Sequence, residues 1–299
     1  MKTPPPIVAA VDFSSSSDQV LAHAAKLAGA TGCLLVAAHV VNESRLRDWA
    51  EATGREAAAP ERVEETIRRL DGMVAEACDG VNTCVDVRIG RPYQTLAEIV
   101  KFHGADLLVL GAHDVARKRL GSVASRCARS VPADVLILRD WQGRMFRKIA
   151  ACVDFSPSSA VGLERAITFT KAYGASLEII HVLYPPARDP WGRALEHPMD
   201  SGASYESMVR ERVRQRLDGF LQPFAGRLSE VQSETTLLEG ESPAAAISAH
   251  VDAREIDLTV TGSQQGSWLA DFVLGSNTER LLHDSNSSVL ITRGHELGG

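Results

Sequence analysis

The chain has only five cysteines, Cys33, Cys78, Cys84, Cys127 and Cys152, an odd number with no CxxC pair among them. That argues against a disulfide framework and for reduced thiols. No CxxC…CxxC or HExxH spacing occurs, so no metal site is expected. No stretch approaches the ~20 apolar residues that cross a bilayer. The opening Met1-Lys2-Thr3-Pro4-Pro5-Pro6 lacks the apolar segment of a secretory leader. A cytoplasmic protein without membrane insertion is the expectation. Positive charge is not in excess: Lys+Arg 32 against Asp+Glu 38 give a formal net charge of -6, which argues against nucleic-acid and membrane-surface partners. The cluster Arg117-Lys118-Arg119 reads as solvated surface.

What is present is an ordinary globular composition, 44% apolar and 23% charged, and a length of 299 residues that suggests two domains. The chain repeats itself. Ile7–Val40 lies over Ile149–Val182 without a gap, at an offset of 142, with 15 identities in 34 positions. Further on, Asp106-Leu107 matches Asp257-Leu258, Gly111 matches Gly262, and Gly121-Ser122 matches Gly275-Ser276 at growing offsets. Growing offsets mean insertions in the second copy, and insertions fall in loops. The expected domains are 1–142 and 146–299, with a short charged seam near Asp140–Arg147 rather than a Gly/Ser-rich tether.

Each copy alternates short apolar runs with helical periodicity. In copy one the strands are Ile7–Val11, Leu34–Val41, Val81–Ile89, Leu107–Leu110 and Val135–Leu138. Helices are expected after Ser14–Ser17, over Glu61–Ala77, around Leu96-Ile99-Val100 and over Ser122–Ser130, with a loop between Val41 and Glu61. Copy two repeats the order, its second helix-forming segment spanning Tyr205–Leu228. Five strands alternating with four helices imply an α/β fold. Two tandem doubly wound domains are expected, each a parallel five-stranded sheet with helices on both faces.

In such sheets ligands bind at the carboxyl ends of strands, near the topological switch. That rule points to Asp12 and Asp154 after strand one and to the glycines after strand four. Copy two reads Gly262-Ser263-Gln264-Gln265-Gly266, then Gly275-Ser276-Asn277 opening a helix. Glycine lets a phosphate approach the backbone. A helix start offers unpaired N–H groups and the positive end of the dipole, and a serine hydroxyl adds a donor. Asp154 can accept from an adenine amino group or a ribose hydroxyl. Taken singly, each feature is also what an ordinary turn or cap looks like.

The combination resembles the universal stress protein family. Its strand-one Val-Asp-x-Ser stands here as Val11-Asp12-Phe13-Ser14 and Val153-Asp154-Phe155-Ser156. Its Gly-x-Pro turn stands as Gly90-Arg91-Pro92 and, one residue longer, as Gly240-Glu241-Ser242-Pro243. The resemblance covers nearly the whole chain, twice, and is carried by the ensemble of motifs. It implies the sheet order 3-2-1-4-5, a homodimer formed through the last strand that a tandem chain can partly mimic internally, and binding of ATP or AMP with or without Mg2+. It assigns the nucleotide to Asp154, Val182 (by its backbone), Gly262, Gly275, Ser276 and Asn277. A weaker second site is Asp12, Val40, Gly111, Gly121 and Ser122.

The family's loop, G-x-x-G, nine residues, then G-[ST], is altered in both copies. In copy two Gln265 takes the place of the second glycine, with Gly266 adjacent and the spacing to Gly275 kept. In copy one Asp114 stands there and only Val115–Leu120 precede Gly121-Ser122, and an acid beside a polyphosphate is repulsive. No Walker lysine, no G-x-S-x-G elbow and no evident general base is present, so an enzyme is not expected beyond slow, incidental ATP hydrolysis. His39 and His181 hold equivalent places, which repeat ancestry explains. Trp49, Trp191 and Trp268 are read as loop residues and Cys152 as inert core. Two functions stay open: a nucleotide-binding regulator of an unidentified protein partner, and a nucleotide-independent stress scaffold.

Overall fold

The structure is a computed structural model, and it describes residues 3–53, 59–112, 120–139, 144–183, 205–263 and 275–293. The first half runs β1 (Ile7–Ala10), α1 (Ser17–Thr31), β2 (Leu35–Asn42), α2 (Glu43–Thr53), α3 (Ala59–Ala77), β3 (Thr83–Gly90), α4 (Pro92–His103), β4 (Leu107–Gly111), α5 (Ser122–Ser130) and β5 (Asp134–Leu138). The second half runs β6 (Lys148–Cys152), α6 (Pro157–Tyr173), β7 (Ser176–Leu183), α7 (Tyr205–Leu221), α8 (Ala225–Leu228), β8 (Gln232–Glu239), α9 (Pro243–Arg254), β9 (Leu258–Gly262), α10 (Ser276–Asp284) and β10 (Ser288–Thr292). Among the described residues no helix is long and apolar enough to cross a membrane. All five cysteines are free thiols, and burial pushes those of Cys127 and Cys152 up to about 12.

Two stretches differ from the sequence expectation. Residues 43–53 form α2 rather than a loop, so Trp49 is helical. The helix buries no residue and is held locally, by Arg47 on Glu43 one turn back and by Asn42, whose side chain accepts from the Ser44 N–H at 3.0 Å. With no apolar stripe there was no periodicity to read. The segment 205–228 is broken into α7, a 3-10 turn at Gln222–Phe224 and α8, because Pro223 has no N–H to continue an α-helical ladder.

The strands form one ten-stranded sheet in the order β3-β2-β1-β4-β5-β10-β9-β6-β7-β8. Each half has the order 3-2-1-4-5 with parallel neighbours, and the halves join where β5 and β10 pair antiparallel, Val289 opposite Ile137 and Ile291 opposite Val135. The central strands β5 (DVLIL) and β10 (SVLIT) are buried throughout, as continuous apolar runs covered on both faces require. One apolar layer lies under α1, α3, α6 and α7 and runs unbroken across both halves, including Leu21, Leu70, Leu163, Leu217 and Phe146. The opposite face is closed by α4 and α5 in the first half and by α9 and α10 in the second. Each fully buried Leu or Ile contributes roughly 1.5–3 kcal/mol, so the shared layer welds the halves.

Polar contacts at the join obey a local two-fold. The Arg293 N–H donates to Asp134 Oδ1 at 2.7 Å, and the Arg139 N–H donates to Ser288 Oγ at 3.2 Å. The Arg293 guanidinium donates to the carbonyl of Ala128 on α5, and that of Arg139 to the carbonyl of Leu282 on α10. Arg129 on α5 pairs with Glu279 on α10. The symmetry breaks at α1 and α6. Arg165 of α6 donates to Asp134 Oδ2 at 2.6 Å and to Asp106 Oδ2 at 2.5 Å. Its counterpart on α1 is His23, which meets Tyr173 and Phe146 instead. The seam explains the difference: Asp257, the counterpart of Asp106, accepts the N–H groups of Arg147 and Lys148 at 2.7 and 2.9 Å.

Candidate functional site

In each half β1 or β6 lies between two neighbours reached by connections running in opposite directions, which is the switch point of the sheet. Directly after that strand the chain turns sharply. Phe13 and Phe155 have φ of 60° and 65°, a left-handed conformation that costs a bulky residue about 1–2 kcal/mol. The turn folds the serines back onto the preceding aspartate. Asp12 Oδ1 accepts from the Ser14 N–H (3.0 Å), Ser14 Oγ (2.5 Å) and Ser17 Oγ (3.1 Å). Asp154 Oδ1 accepts from the Ser156 N–H (3.0 Å) and Ser156 Oγ (2.5 Å). Partial burial of Asp154 works against its charge, but the donors of Ser156 and Ser159 outweigh it and hold the carboxyl below its usual range. The result is a fixed, ionised acceptor at the carboxyl edge of the sheet.

The remaining expected residues surround this turn. Ala38, the last residue of β2 paired to β1, gives its carbonyl to the Val11 N–H at 2.8 Å. Val40 has the same parity, so its N–H and C=O face the side on which β1 has ended. Val182 repeats this beyond Ile180, whose carbonyl takes the Val153 N–H at 2.9 Å. Gly111 and Gly262 end β4 and β9. A Cβ on Gly111 would stand 2.5 Å from Ser16 Oγ, and one on Gly262 would stand 2.5 Å from the Ser158 carbonyl oxygen. Gly262 is therefore required by the backbone at the start of α6, whereas the Gly111 contact is with a side chain that can turn away. The two contacts also place β4 and β9 beside the Asp turn, since Ser16 and Ser158 bond to Ser14 and Ser156 at 3.0 and 2.9 Å.

Gly121 and Gly275 are extended N-caps of α5 and α10. Among the described residues a Cβ on Gly275 would meet nothing within 4 Å. Ser122 and Ser276 are the first helical residues, and Asn277 is exposed beside Ser276. Thr278 behind it ties α10 to β9 through Thr261 at 3.1 Å. Arg117-Lys118-Arg119, Asp114, Trp191, Gln265, Gly266 and Trp268 lie outside the described residues. Two clefts, about 540 and about 430 Å³, open at the opposite, amino end of the second-half strands around Lys148 and Ser176. Their charged groups are largely committed: Lys148 Nζ donates to the Arg254 carbonyl, and Arg254 pairs with Glu234.

Two residues in each half were not anticipated as part of this site. His39 lies 4.5 Å from Phe13 and His181 lies 4.3 Å from Phe155, ring to ring, and each Nδ1 contacts the carbonyl of Val11 or Val153 at 2.7 or 2.8 Å. Arg69 of α3 and Arg216 of α7 seat their guanidinium groups 4.2 and 4.5 Å from the same two phenylalanine rings. The paired histidines were visible in the repeat. The arginines were not, because α3 and α7 lie where the two copies no longer align without gaps.

The model of the universal stress protein family matches residues 5–139 and again residues 145–293. Universal stress protein YxiE of Bacillus subtilis (strain 168) is 29% identical over 165 residues, covering 50% of this chain and 100% of that protein. A universal stress protein of Archaeoglobus fulgidus DSM 4304 has the same fold over 97% of this chain and 98% of its own, with a TM-score of 0.69 and 18% identity. A universal stress protein solved in complex with cAMP is 26% identical, covers 46% of this chain and 97% of its own, and has a TM-score of 0.34.

Proposed function

This chain belongs to the universal stress protein family in both halves, and from that premise we propose that it is a non-enzymatic, cytoplasmic stress-response regulator that binds ATP or AMP through its second half. The observation that carries the reading is the pairing of a pinned carboxylate, Asp154, with the start of α10 at Gly275, which no described residue covers. Asp154 Oδ1 is held by Ser156, and no donor to Oδ2 occurs among the described residues. That oxygen is placed to accept a ribose hydroxyl. The free edge of Val182 suits the base, and the N–H groups of Ser276 and Asn277 suit a phosphate. Mg2+, where bound, would supply charge neutralisation to the phosphates. Asp12, Val40, Gly111, Gly121 and Ser122 form the weaker site of the first half. Among the described residues none is placed to activate water, and occupancy rather than turnover is the signal we propose, read by a protein partner.

A second reading, a nucleotide-independent scaffold, draws on Gly262, whose presence helix packing alone explains. The deciding experiment is heat release of bound nucleotide from the purified chain with mass-spectrometric identification. Titration of the stripped protein with ATP, AMP and cAMP follows. About one nucleotide per chain, lost in Gly275→Asp and kept in Gly121→Asp, supports the regulator. No release and no binding at millimolar ATP sinks it and leaves the scaffold.

A further inference from the structure

A bulky residue in the left-handed region is a strained choice, and it is made twice, at Phe13 and Phe155. Glycine would adopt that turn without cost. What glycine lacks is the ring, and in both halves the ring carries the same two neighbours, a histidine from the second strand and a guanidinium from the helix before the third. Strain held in place by surrounding contacts is characteristic of ligand clamps.

The arginines themselves are exposed, so their cation–π contacts contribute only about 0.5–1 kcal/mol each to the fold. Neither guanidinium is in an ion pair among the described residues, whereas Arg62 on α3, Arg210 on α7 and Arg227 on α8 pair with Glu65, Glu239 and Glu164. Lying flat on an aromatic ring fixes the plane of a guanidinium and leaves its N–H edge free to donate. In the first half the charges of Asp12 and Arg69 both reach the imidazole of His39, with opposite effects on its protonation. Phe13 and Phe155 directly follow Asp12 and Asp154 in the chain, so a guanidinium seated on either ring stands over the aspartate's own turn.

We propose that Arg216, seated on Phe155, is a charge-selecting residue of the second-half site, there to favour an anionic nucleotide over the neutral nucleoside beside the carboxylate of Asp154, with Arg69 on Phe13 its counterpart in the first half. The inference rests on the nucleotide-binding reading. Without the arginine, a ligand carrying phosphate meets the carboxylate with one compensating charge fewer. With it, that repulsion is offset, and a nucleoside without phosphate gains nothing.

The test compares ATP with adenosine on the full chain by calorimetric titration. Arg216→Met keeps the aliphatic stem over the ring and removes the charge. Its ATP affinity should fall about tenfold, with adenosine affinity unchanged and the melting temperature lower by no more than about 3 °C. Phe155→Gly, which keeps the turn and removes the seat, should lose ATP preference to the same extent, and Arg216→Lys should retain part of it. Unchanged ATP affinity in Arg216→Met overturns the proposal. So does a parallel fall for ATP and adenosine, because that is the signature of a merely structural residue. Failure of the unaltered protein to bind either ligand overturns the nucleotide reading and this proposal together.

Discussion

His23 is buried in the α1–α6 contact between the halves, 4% exposed, with Nδ1 2.8 Å from the Tyr173 hydroxyl and its ring 4.3 Å from that of Phe146. Burial holds the imidazole down from 6.5 to about 4, against weaker upward pulls from the backbone of Arg144 and the charge of Asp257. The folded protein therefore keeps His23 neutral at a pH where the unfolded chain protonates it. Between the unfolded and folded values the unfolded state binds more protons, so stability rises with pH in that window. The contribution is fully present above 6.5 and is lost as pH falls toward 4. At roughly 1.4 kcal/mol per pH unit the whole loss is about 3 kcal/mol, and about 2 kcal/mol of it falls between about pH 7.5 and about pH 5.

The assay is urea unfolding of the unaltered chain and of His23→Leu at those two pH values. Leucine fills the apolar site and cannot titrate. The Tyr173 hydroxyl keeps the backbone carbonyl of residue 23, 3.4 Å away, as acceptor. All other titrating groups are common to both proteins, so the difference between their losses isolates His23. The unaltered chain should lose about 2 kcal/mol more than His23→Leu on acidification. Equal losses would refute the burial argument and show that the ring reaches water or a compensating partner when protonated.

Two further outcomes follow from buried charge and backbone geometry. Arg165→Leu leaves the Asp134 carboxyl, 1% exposed, with only the Arg293 N–H among these partners. The loss should be about 3 kcal/mol or more in urea unfolding, and Asp134→Asn in the same chain should recover most of it. Glu255 closes α9 in the left-handed region at φ 54°, where the first half has Gly104 at φ 62°. Glu255→Gly should stabilise by roughly 0.5–1 kcal/mol, read as a melting temperature about 1–3 °C higher.

Each half was legible in the sequence because the elements that define it carry local signals. The Val-Asp-Phe-Ser turns, the apolar runs of β1, β2 and β4, and the Gly-Ser helix start of α5 are all written in consecutive residues. The union of the two sheets was only hinted at by the resemblance, since it depends on a partner strand 154 residues away. One signal for it does exist. An order of 3-2-1-4-5 leaves strands three and five at the edges, and exposed edges carry polar or charged residues. β3 and β8 obey this, with Asp86, Arg88, Glu234 and Glu239. β5 and β10 are wholly buried, which is intelligible only if each covers the other. The arginine seats at Phe13 and Phe155 were illegible for a different reason. A helix facing outward over a site needs only one residue in the right place, and one residue leaves no periodicity.

The union also constrains how this protein meets a second copy. The edge through which the resemblance implies homodimerisation is occupied within the chain, β5 by β10, and flanked by Arg139 and Arg293, whose guanidinium groups grip carbonyls of the opposite half. Exchanging that pairing for an intermolecular one would have to expose the apolar layer that includes Phe146 and Leu163, so it should not compete at equilibrium. The edges left open, β3 and β8, carry charged side chains, which discourages strand addition. If the chain forms a homodimer, it should do so through helices. Substituting Ile137→Lys in β5 should therefore reduce stability without changing the association state measured by light scattering. A dimer that dissociates on that substitution, while each chain remains folded, would show that the last strands serve the intermolecular contact after all.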